Sequence, residues 1–324
     1  MIKIVIALIT LLFSFSIVFA GDVDTDYIQQ YSRNKLILSL LSSGRDLSLT
    51  IKKEGSTSVD INYLPNTKQH TGIGVSFLGL GGAVSWTGGD TQQDEAIYGK
   101  TKYIDYQLSY YGRKIGIDAN FQQYSNFYLD KPDQFDASWQ TTDPYPQRTD
   151  LHIRYYGLNT YYIFSSEKFS FKAAFNQTER QKKKAGSFLL MGSVSYLDIK
   201  SDRSLIPASK EADFGDLSGF KGGNFLVIGL SPGYAYSFIF SKFYITPSIF
   251  VGPSFQQKRY DVATGDKTSE SGGFKSNIRL AGGYNSDTFF AGITAVSDIT
   301  SVKQGEITVE SNTTIAKLFM GYKF

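Results

Sequence analysis

The sequence predicts an all-β fold, an antiparallel transmembrane β-barrel of twelve strands, or of fourteen if two weaker segments are counted. Three observations predict it. The chain begins with an export signal, its later segments alternate apolar and polar residues with a period of two, and many of these segments reach ten residues or more. The composition agrees, because the 324 residues include 25 Phe, 22 Tyr and 31 Gly but only 8 Pro.

Residues 1–20 have the pattern of a signal peptide. Lys3 gives a short positive start, an almost unbroken apolar run covers 4–19, and Ala20 is a small residue at the expected cleavage point. An uncleaved anchor is the alternative, but the polar stretch 22–26 follows without a basic stop-transfer flank. We therefore expect a cleaved signal peptide, an exported lead over 21–34, a single β-barrel domain over 35–324, and an outer-membrane location.

The strands are predicted from alternation of apolar and polar side chains. Along 114–127, for example, Ile117 and Phe121 share one face, and Asp118 and Gln122 share the other. The twelve predicted strands are 71–78, 80–87, 102–112, 114–127, 151–165, 169–178, 187–199, 225–240, 243–260, 274–284, 288–301 and 308–324, and segments 47–52 and 59–63 would make fourteen. Pro232, Pro247 and Pro253 predict bulges or irregular strand ends, because proline cannot donate to a ladder.

The apolar faces of these strands are expected to contact lipid. Ten residues at about 3.3 Å each, tilted by about 40°, cover roughly 25 Å, which is the height of the apolar band of an outer-membrane barrel. A soluble lipid-carrying β-barrel is the alternative, and in that case the apolar faces would point inward. The side chains of Ile117, Phe121 and Leu280 distinguish the two models, because they point outward in a membrane barrel and inward in a soluble lipid carrier.

The last strand ends in an aromatic pattern. Leu318, Met320, Tyr322 and Phe324 share one face, and the segment 321–324 resembles the terminal signal of bacterial outer-membrane barrels. We expect Tyr322 and Phe324 to form the barrel-insertion signal, so the expected partners are outer-membrane lipids, the barrel-insertion machinery and a small solute.

The connections give conflicting topologies. Counted backwards from the C-terminus, 285–287 and 241–242 are short turns, while 261–273 and 200–224 are long loops. Counted forwards, 112–113 and 166–168 are short, while 88–101 and 128–150 are long. The two counts disagree at the connection 179–186, which each count assigns to a different side of the barrel. Barrels of this class have short periplasmic turns and long outer loops, so the conflict prevents an assignment of loops to sides.

Chemical sites are sparse. A net charge of +3 argues against nucleic acid, and the absence of Cys together with only two His argues against a metal or another cofactor. We therefore expect a pore, receptor or envelope scaffold and not an enzyme. The alternative is a lipid-acting barrel enzyme that uses His152 as its base, although no local spacing identifies a serine or an orienting acid.

Charged residues fall on the polar faces and in one connection. The dense basic run 180–184 indicates a solvated turn, with contact to an anionic partner as the alternative. The side chains predicted to face the lumen are Asp105, Asp118, Arg154, Lys172, Lys275, Arg279 and Lys317. Their mixed charge is compatible with a hydrated interior and with side-chain pairs that plug it.

Several segments together resemble the exported bacterial family called domain of unknown function 4421, found mostly in Bacteroidetes. The segments are 63–67, 99–103, 111–114, 143–148 and 177–183, the last followed by 185–188. They are spread over most of the mature chain. The resemblance implies an exported, strand-rich outer-membrane protein, and it carries over no functional residue.

Overall fold

The computed structural model describes residues 22–31, 36–53, 59–77, 80–91, 94–262, 265–304 and 307–324. The predicted signal peptide and the part of the lead at 32–34 lie outside the described residues. Within them, no helix combines the length and apolar character that would let it cross a membrane.

The described chain is built almost entirely of strands. The strands are β1 (Ile28–Gln30), β2 (Ile37–Lys53), β3 (Val59–Pro65), β4 (Lys68–Phe77), β5 (Leu80–Thr91), β6 (Lys102–Tyr111), β7 (Ile115–Leu129), β8 (Gln147–Ile163), β9 (Glu179–Gln181), β10 (Ala185–Lys200), β11 (Gly222–Phe240), β12 (Phe243–Val262), β13 (Gly265–Asn285), β14 (Phe289–Gln304) and β15 (Ile307–Lys323). Two short α-helices, α1 (Glu95–Tyr98) and α2 (Phe171–Phe175), and 3-10 helices at Pro132–Gln134 and Ala208–Leu217 lie in the connections.

The sheet closes on itself because β15 pairs with β2 along its whole length, from Ile307↔Lys53 to Lys323↔Ile37. Every described pairing is antiparallel, and a ring of ten strands runs β2–β3–β7–β8–β10–β11–β12–β13–β14–β15 and back to β2. Strand β4 pairs with β2, β5 pairs with β4, and β6 pairs with β7. The predicted all-β antiparallel barrel is confirmed.

The apolar faces of the strands point away from the barrel interior. Along β12, exposed and buried residues alternate without interruption, and Ile249 on the outer face is 50% exposed. Leu280 is also exposed, and Phe121 stacks on the exposed Tyr106. The outer face carries Leu40, Ile73, Ile104, Leu108, Leu158, Val194, Ile228, Leu230, Ile245, Phe274, Ile278, Ile293, Leu318 and Met320 among its exposed residues. This direction is the reverse of what a soluble lipid carrier requires.

Two ends of the barrel can be distinguished. The proximal end holds Phe324 and the connections 112–114, 164–184, 241–242 and 286–288. The distal end holds the long connections 130–146 and 201–221, and also α1 between β5 and β6. The chain therefore returns to the end that holds its N-terminal lead.

The predicted strand at 169–178 is wrong, and this error caused the topological conflict. Residues Phe171–Phe175 form helix α2, which is capped by Ser170, whose hydroxyl accepts a hydrogen bond from the Ala173 amide at 3.1 Å. With one strand fewer, 164–184 becomes a single proximal connection, and the forward and backward series of loops agree.

The predicted long loop at 261–273 is wrong, because 261–262 and 265–273 are strand and β12 and β13 remain paired as far as Val262↔Gly265. The predicted irregularity at the prolines is found in part. No register shift occurs there, but the β11–β12 pairing is interrupted at 230–232 and at 236–237, opposite 251–253 and 246–247. Among the described pairs, register shifts lie at Lys68/His70 and Ser125/Phe127.

The interior has an apolar layer at its distal end. The buried side chains that form it include Leu47, Ile61, Tyr63, Leu151, Ile153, Leu197, Phe225 and Val309 from the strands, and Leu205, Phe214, Leu217 and Phe220 from the connection 201–221. The hydroxyl of Tyr63 donates to the Leu205 carbonyl at 2.6 Å, which fixes this connection on the barrel. The connection 201–221 is therefore a packed cap over the distal end.

Candidate functional site

A buried ion pair occupies the middle of the barrel interior. The Arg279 guanidinium on β13 donates to Asp118 on β7 at 2.5 Å and to Asn277 at 2.8 Å. The hydroxyls of Tyr111 and Tyr161 donate to the Asp118 carboxylate at 3.0 and 2.8 Å. Because burying charges is costly unless they are paired and hydrogen-bonded, this geometry keeps both groups ionised inside the barrel.

A second network lies between β13 and β14. The Lys275 ammonium donates to Asp298 at 2.7 Å, to Ser195 at 2.9 Å and to Thr300 at 3.1 Å. Asn159 donates to the same carboxylate at 2.7 Å. A lysine beside a serine can act as a base for a nucleophile, but a lysine held by a buried carboxylate keeps its proton, so this group of residues is structural.

The predicted lumen residues separate into three groups. Asp105, Asp118, Lys275 and Arg279 point inward, and Asp105 accepts from Gln122 at 2.9 Å and Tyr124 at 3.0 Å. Lys317 also lies inside, near Arg45 and Asp118. The other two predictions are wrong. Arg154 is exposed on the outer face, because it shares the side of β8 with the exposed Tyr156, and Lys172 lies on helix α2.

The proximal end is closed by the connection 164–184 and the N-terminal lead. A buried salt bridge joins Arg113 to Glu179, and Ser170 donates to the same carboxylate at 2.5 Å. Burial lowers the pKa of Arg113, while the nearby Glu179 charge acts in the opposite direction. Strand β1 of the lead pairs with β9, so the lead is part of the same closure.

The basic run 180–184 is largely engaged by the lead. Lys183 lies 3.0 Å from the Asp26 carboxylate, Lys182 donates to the Thr25 carbonyl at 2.9 Å, and Arg180 lies 3.7 Å from Asp287. The Lys183 hydrogen bond lowers the pKa of Asp26. Lys182, Lys183 and Lys184 are exposed, as the prediction of a solvated turn requires, whereas the side chain of Arg180 is only 18% exposed.

His152 lies at the distal rim, on the outer face of β8. It lines a groove of about 560 Å³ together with Asp198, Lys200, Ser201, Lys221 and Arg259. No hydrogen bond or ion pair joins His152 to another side chain in the part of the chain that the structure describes. His152 is therefore a polar residue at the rim, which is one of the two roles expected from the sequence. The other role, a base that activates a serine, would need a hydrogen bond to that serine, and the described contacts of His152 include none.

Tyr322 and Phe324 lie on the outer face at the proximal rim. Their ring centroids are 4.8 Å apart, and both side chains are exposed. The Phe324 amide donates to the Leu36 carbonyl at 2.8 Å, so the backbone of the last residue is fixed at the seam between β15 and β2. The two rings are therefore available to a partner at the edge of the barrel.

Sequence reasoning missed several interior partners. Asp298, Asn159 and Asn277 were not selected, although each lies at an inward position of an alternating strand. Tyr111 and Tyr161 were not predicted as interior residues either, yet their hydroxyls donate to Asp118. These interior residues could have been found from the sequence, because polar residues occupy every second position in neighbouring strands. Within the described residues, no group of three or more His, Asp or Glu is arranged to hold a metal ion.

Comparison with solved structures finds proteins of low similarity. The outer membrane protease OmpT from Escherichia coli matches with a TM-score of 0.42 and 9% identity, over 91% of this chain and 98% of its own. The attachment invasion locus protein Ail of Yersinia pestis matches with a TM-score of 0.19, 10% identity and coverage of 89% and 99%. The toluene transporter TodX of Pseudomonas putida matches with a TM-score of 0.19, 8% identity and coverage of 94% and 99%. No conclusion about activity or ligand follows from similarities this low.

Comparison by sequence gives a single assignment. No curated protein matches the chain. The model of one protein family matches residues 22–324, which is nearly the whole chain. The match agrees with the turn segments, such as 111–114 and 177–183, that carry the resemblance in the sequence. The chain belongs to the family described as domain of unknown function DUF4421.

Proposed function

We propose that this chain is an outer-membrane β-barrel with a plugged interior, and that it acts as a surface receptor or envelope scaffold and not as an open pore or an enzyme. The observation that carries the proposal is the contrast between the two faces of the wall. Exposed Ile, Leu, Val and Phe cover the outside, and ion pairs such as Arg279–Asp118 fill the inside. Apolar exposure on this scale requires an apolar surrounding phase.

The height of the apolar band supports the membrane assignment. On β12, outward side chains remain apolar from Phe243 to Phe255 and become polar from Gln257 onward. Twelve steps of about 3.3 Å, tilted by about 40°, give roughly 30 Å, close to the thickness of a bilayer core. Because strands in lipid must have all backbone groups paired, the complete β15–β2 seam is the closure that a membrane requires.

The orientation follows from the lengths of the connections. Barrels of this class have short turns on the periplasmic side and longer loops outside. We therefore place the proximal end in the periplasm and the distal end, with its long connections 130–146 and 201–221, at the cell surface. For the membrane-embedded wall we infer twelve strands, which are the ten of the ring together with β5 and β6, with β3 and β4 counted as one interrupted strand. The described ladders close the ring of ten, and pairing of β5 with β6 is part of the proposal.

A surface role is favoured over free diffusion through the barrel. The apolar layer at the distal end is capped by 201–221, and the proximal end is occupied by α2 and the β1–β9 pair. A solute would have to displace buried ion pairs to cross between these layers. The outer surface, the rim groove and the loops are the parts of the molecule that an extracellular partner can reach.

Two measurements on the same preparation test this function. The mature protein should fractionate with the outer membrane and migrate faster on a denaturing gel before boiling than after it. In a planar bilayer the folded protein should give no steady conductance. Recovery in the soluble periplasm would contradict the membrane barrel, and stable open channels would contradict the plug.

A lipid-acting enzyme is the second candidate, and the position of His152 favours it. His152 lines the rim groove beside Ser201 and Asp198, at the level where lipid headgroups would lie. The Ser201 hydroxyl donates to the carbonyls of Arg203 and Lys221, so it would have to turn toward His152 before it could attack an ester of a bound lipid. Wild type and His152→Ala should be compared for hydrolysis of outer-membrane lipids, with Lys102→Ala as control. Equal lipid profiles in all three would eliminate the enzyme.

A further inference from the structure

Four adjacent strands change from apolar to polar on their outer faces at one common level. In the last mainly apolar row, Tyr156 pairs with Tyr196, Tyr196 with Leu226, and Leu226 with Gln257. The next row toward the distal end consists of Arg154, Asp198, Asn224 and Arg259, which pair across β8, β10, β11 and β12 in that order. We call these four residues the distal polar patch.

The distal polar patch borders the rim groove. Asp198, Asn224 and Arg259 line the groove directly, and Lys200 and Lys221 add two exposed cations to its wall. Three further carboxylates, those of Asp150, Asp202 and Asp261, line other parts of the groove. The groove has a volume of about 560 Å³, and the backbone of Gly222 and Gly223 forms part of its wall. The groove therefore joins the outer face of the wall to the capped distal end.

Asp198 has an unsatisfied acceptor in this groove. The residue is only 7% exposed. Its Oδ2 atom lies 3.8 Å from Arg154 and 3.6 Å from Lys200, distances longer than hydrogen bonds. Its Oδ1 atom is buried and accepts no hydrogen bond within the described chain. A buried carboxylate with so few donors is costly, and Oδ2, which has only these two long contacts, is the oxygen to which a hydroxyl or amine of a bound molecule would donate.

The charges of the patch define the rest of that molecule. Arg154 and Arg259 stand three strand spacings apart, which is about 14 Å, and Lys200 and Lys221 lie between them along the groove. Guanidinium and ammonium groups bind phosphate, and a span of this width exceeds one phosphate. Below the patch, the row with Tyr156 and Tyr196 lies about 7 Å away, within reach of the acyl chains of the same molecule.

We propose that the distal polar patch and its groove bind the headgroup of a phosphorylated glycolipid from the surrounding outer leaflet. Arg154 and Lys200 hold one phosphate, Arg259 holds a second at the other end of the patch, and a sugar hydroxyl or amine donates to Asp198. The acyl chains then run down the wall beside Tyr156 and Tyr196. This inference rests on the proposed membrane location, because only a barrel in a bilayer presents these rows to lipid.

Binding of lipid A to the purified full-length barrel in detergent tests the site. The probes are lipid A, the same lipid after removal of its phosphates, and phosphatidylethanolamine, each measured by native mass spectrometry and by titration. We expect lipid A to bind at least tenfold more tightly than either other lipid. Equal binding of the dephosphorylated lipid, or tighter binding of phosphatidylethanolamine, would overturn the glycolipid assignment, and equal competition by inorganic phosphate would identify a simple anion site.

Variants locate the binding on the barrel. Arg154→Gln combined with Arg259→Gln should weaken lipid A binding at least tenfold, and Lys200→Gln alone several-fold. The control is Lys102→Gln, because Lys102 is an exposed cation at the same distal level on β6, and it should change the affinity less than twofold. Unchanged affinity in the double variant would overturn the proposal.

The failure of this site and of the proposed function can be told apart. Each variant is first checked for faster migration before boiling and for recovery in the outer membrane. A folded outer-membrane barrel that binds all three lipids alike contradicts only the headgroup site. A wild-type protein found in the periplasm contradicts the function itself. Lys200→Gln, a single exposed substitution, provides a second variant if the double variant does not fold.

Discussion

At the scale of single residues, the charged side chains inside the barrel matter most when one partner is removed. Arg279 is fully enclosed and contacts Asp118, Asn277 and two tyrosines. Arg279→Met would leave the Asp118 carboxylate buried without its cation, so we expect a loss of about 3–5 kcal/mol in the free energy of unfolding. Urea unfolding in detergent micelles, followed by intrinsic fluorescence, measures it.

The matched control for this prediction is Lys102→Met. Lys102 carries the same kind of charge but is exposed at the distal rim. Removing an exposed cation should change stability by no more than about 1 kcal/mol. If Arg279→Met and Lys102→Met unfold at the same urea concentration, the interior ion pair contributes nothing and the account of the plug is wrong.

The interior network also shows what the sequence could reveal at this scale. Period-two alternation predicted that Asp118, Lys275 and Arg279 face inward, and they do. It could not show that Arg279 pairs with Asp118, because β7 and β13 lie on different parts of the ring and their register depends on closure. Arg154 was misassigned because the outer face turns polar at the rim, where alternation no longer separates inside from outside.

At the scale of elements, the distal cap 201–221 contains a carboxyl that senses pH. Glu211 accepts from the Ser218 hydroxyl at 2.7 Å and from the Gly219 amide at 2.6 Å. Burial raises the pKa of Glu211, but hydrogen bonds from Ser204, Ser218 and Gly219 outweigh burial and leave the pKa below its usual 4.5. A lowered carboxyl pKa adds stability above the unfolded pKa, and this stability is lost as the pH falls through the folded value.

The expected outcome is a looser cap in acid. As the pH falls below about 4.5, protonation of Glu211 should weaken its hold on Ser218 and Gly219. Hydrogen exchange of the peptide that covers 208–221, corrected for the intrinsic pH dependence, should then rise in the wild type. Glu211→Gln should exchange faster at pH 6 and change little on acidification. An acid response of equal size in the variant would exclude Glu211 as its source.

The terminal strand gives a second prediction at the element scale. Phe324 presents an exposed ring at the proximal rim, and Phe164 at the end of β8 does the same. Each ring contacts a tyrosine two residues earlier, at centroid distances of 4.8 and 5.0 Å. If the insertion machinery binds the last strand through Phe324, Phe324→Ala should reduce the amount of the protein in the outer membrane several-fold. Quantitative immunoblotting of membrane fractions measures this amount.

Phe164→Ala is the matched control. It removes an aromatic ring of similar exposure and environment from a strand that does not end the chain. A loss caused only by membrane-interface contacts would be equal in the two variants. An equal effect, or normal levels of Phe324→Ala, would therefore contradict a special role for the terminal residue.

The strand mistaken at 169–178 illustrates the limit of periodicity. Phe171, Ala173 and Phe175 alternate with polar or small residues, which is the pattern of a strand. The segment nevertheless forms α2, because Ser170 caps it and its apolar residues pack against the proximal end of the interior. A run of five residues is too short for a helical period to be distinguished, and only the closed barrel decides which surface the segment covers.

At the scale of the whole molecule, the outward direction of the apolar faces was predicted from strand length and is found throughout the described wall. The filled interior was not predictable. A lumen and a plug require the same polar alternation, and they differ only in whether facing residues such as Lys275 and Asp298 reach one another. That depends on the diameter of the ring, which sequence pattern alone does not determine.

The central claim is that the outer face of the barrel wall contacts hydrocarbon. Spin labels at two positions along β12 test this claim most directly. The chain contains no cysteine, so Ile249→Cys and Arg259→Cys each provide one site for a spin label on the same face. Ten residues separate them by about 25 Å along the membrane normal. In reconstituted vesicles, the label at 249 should collide with oxygen and be shielded from a water-soluble nickel chelate, while the label at 259 should show the reverse. Equal access of the chelate to both labels, or shielding of the label at 249 from both reagents, would contradict the membrane barrel.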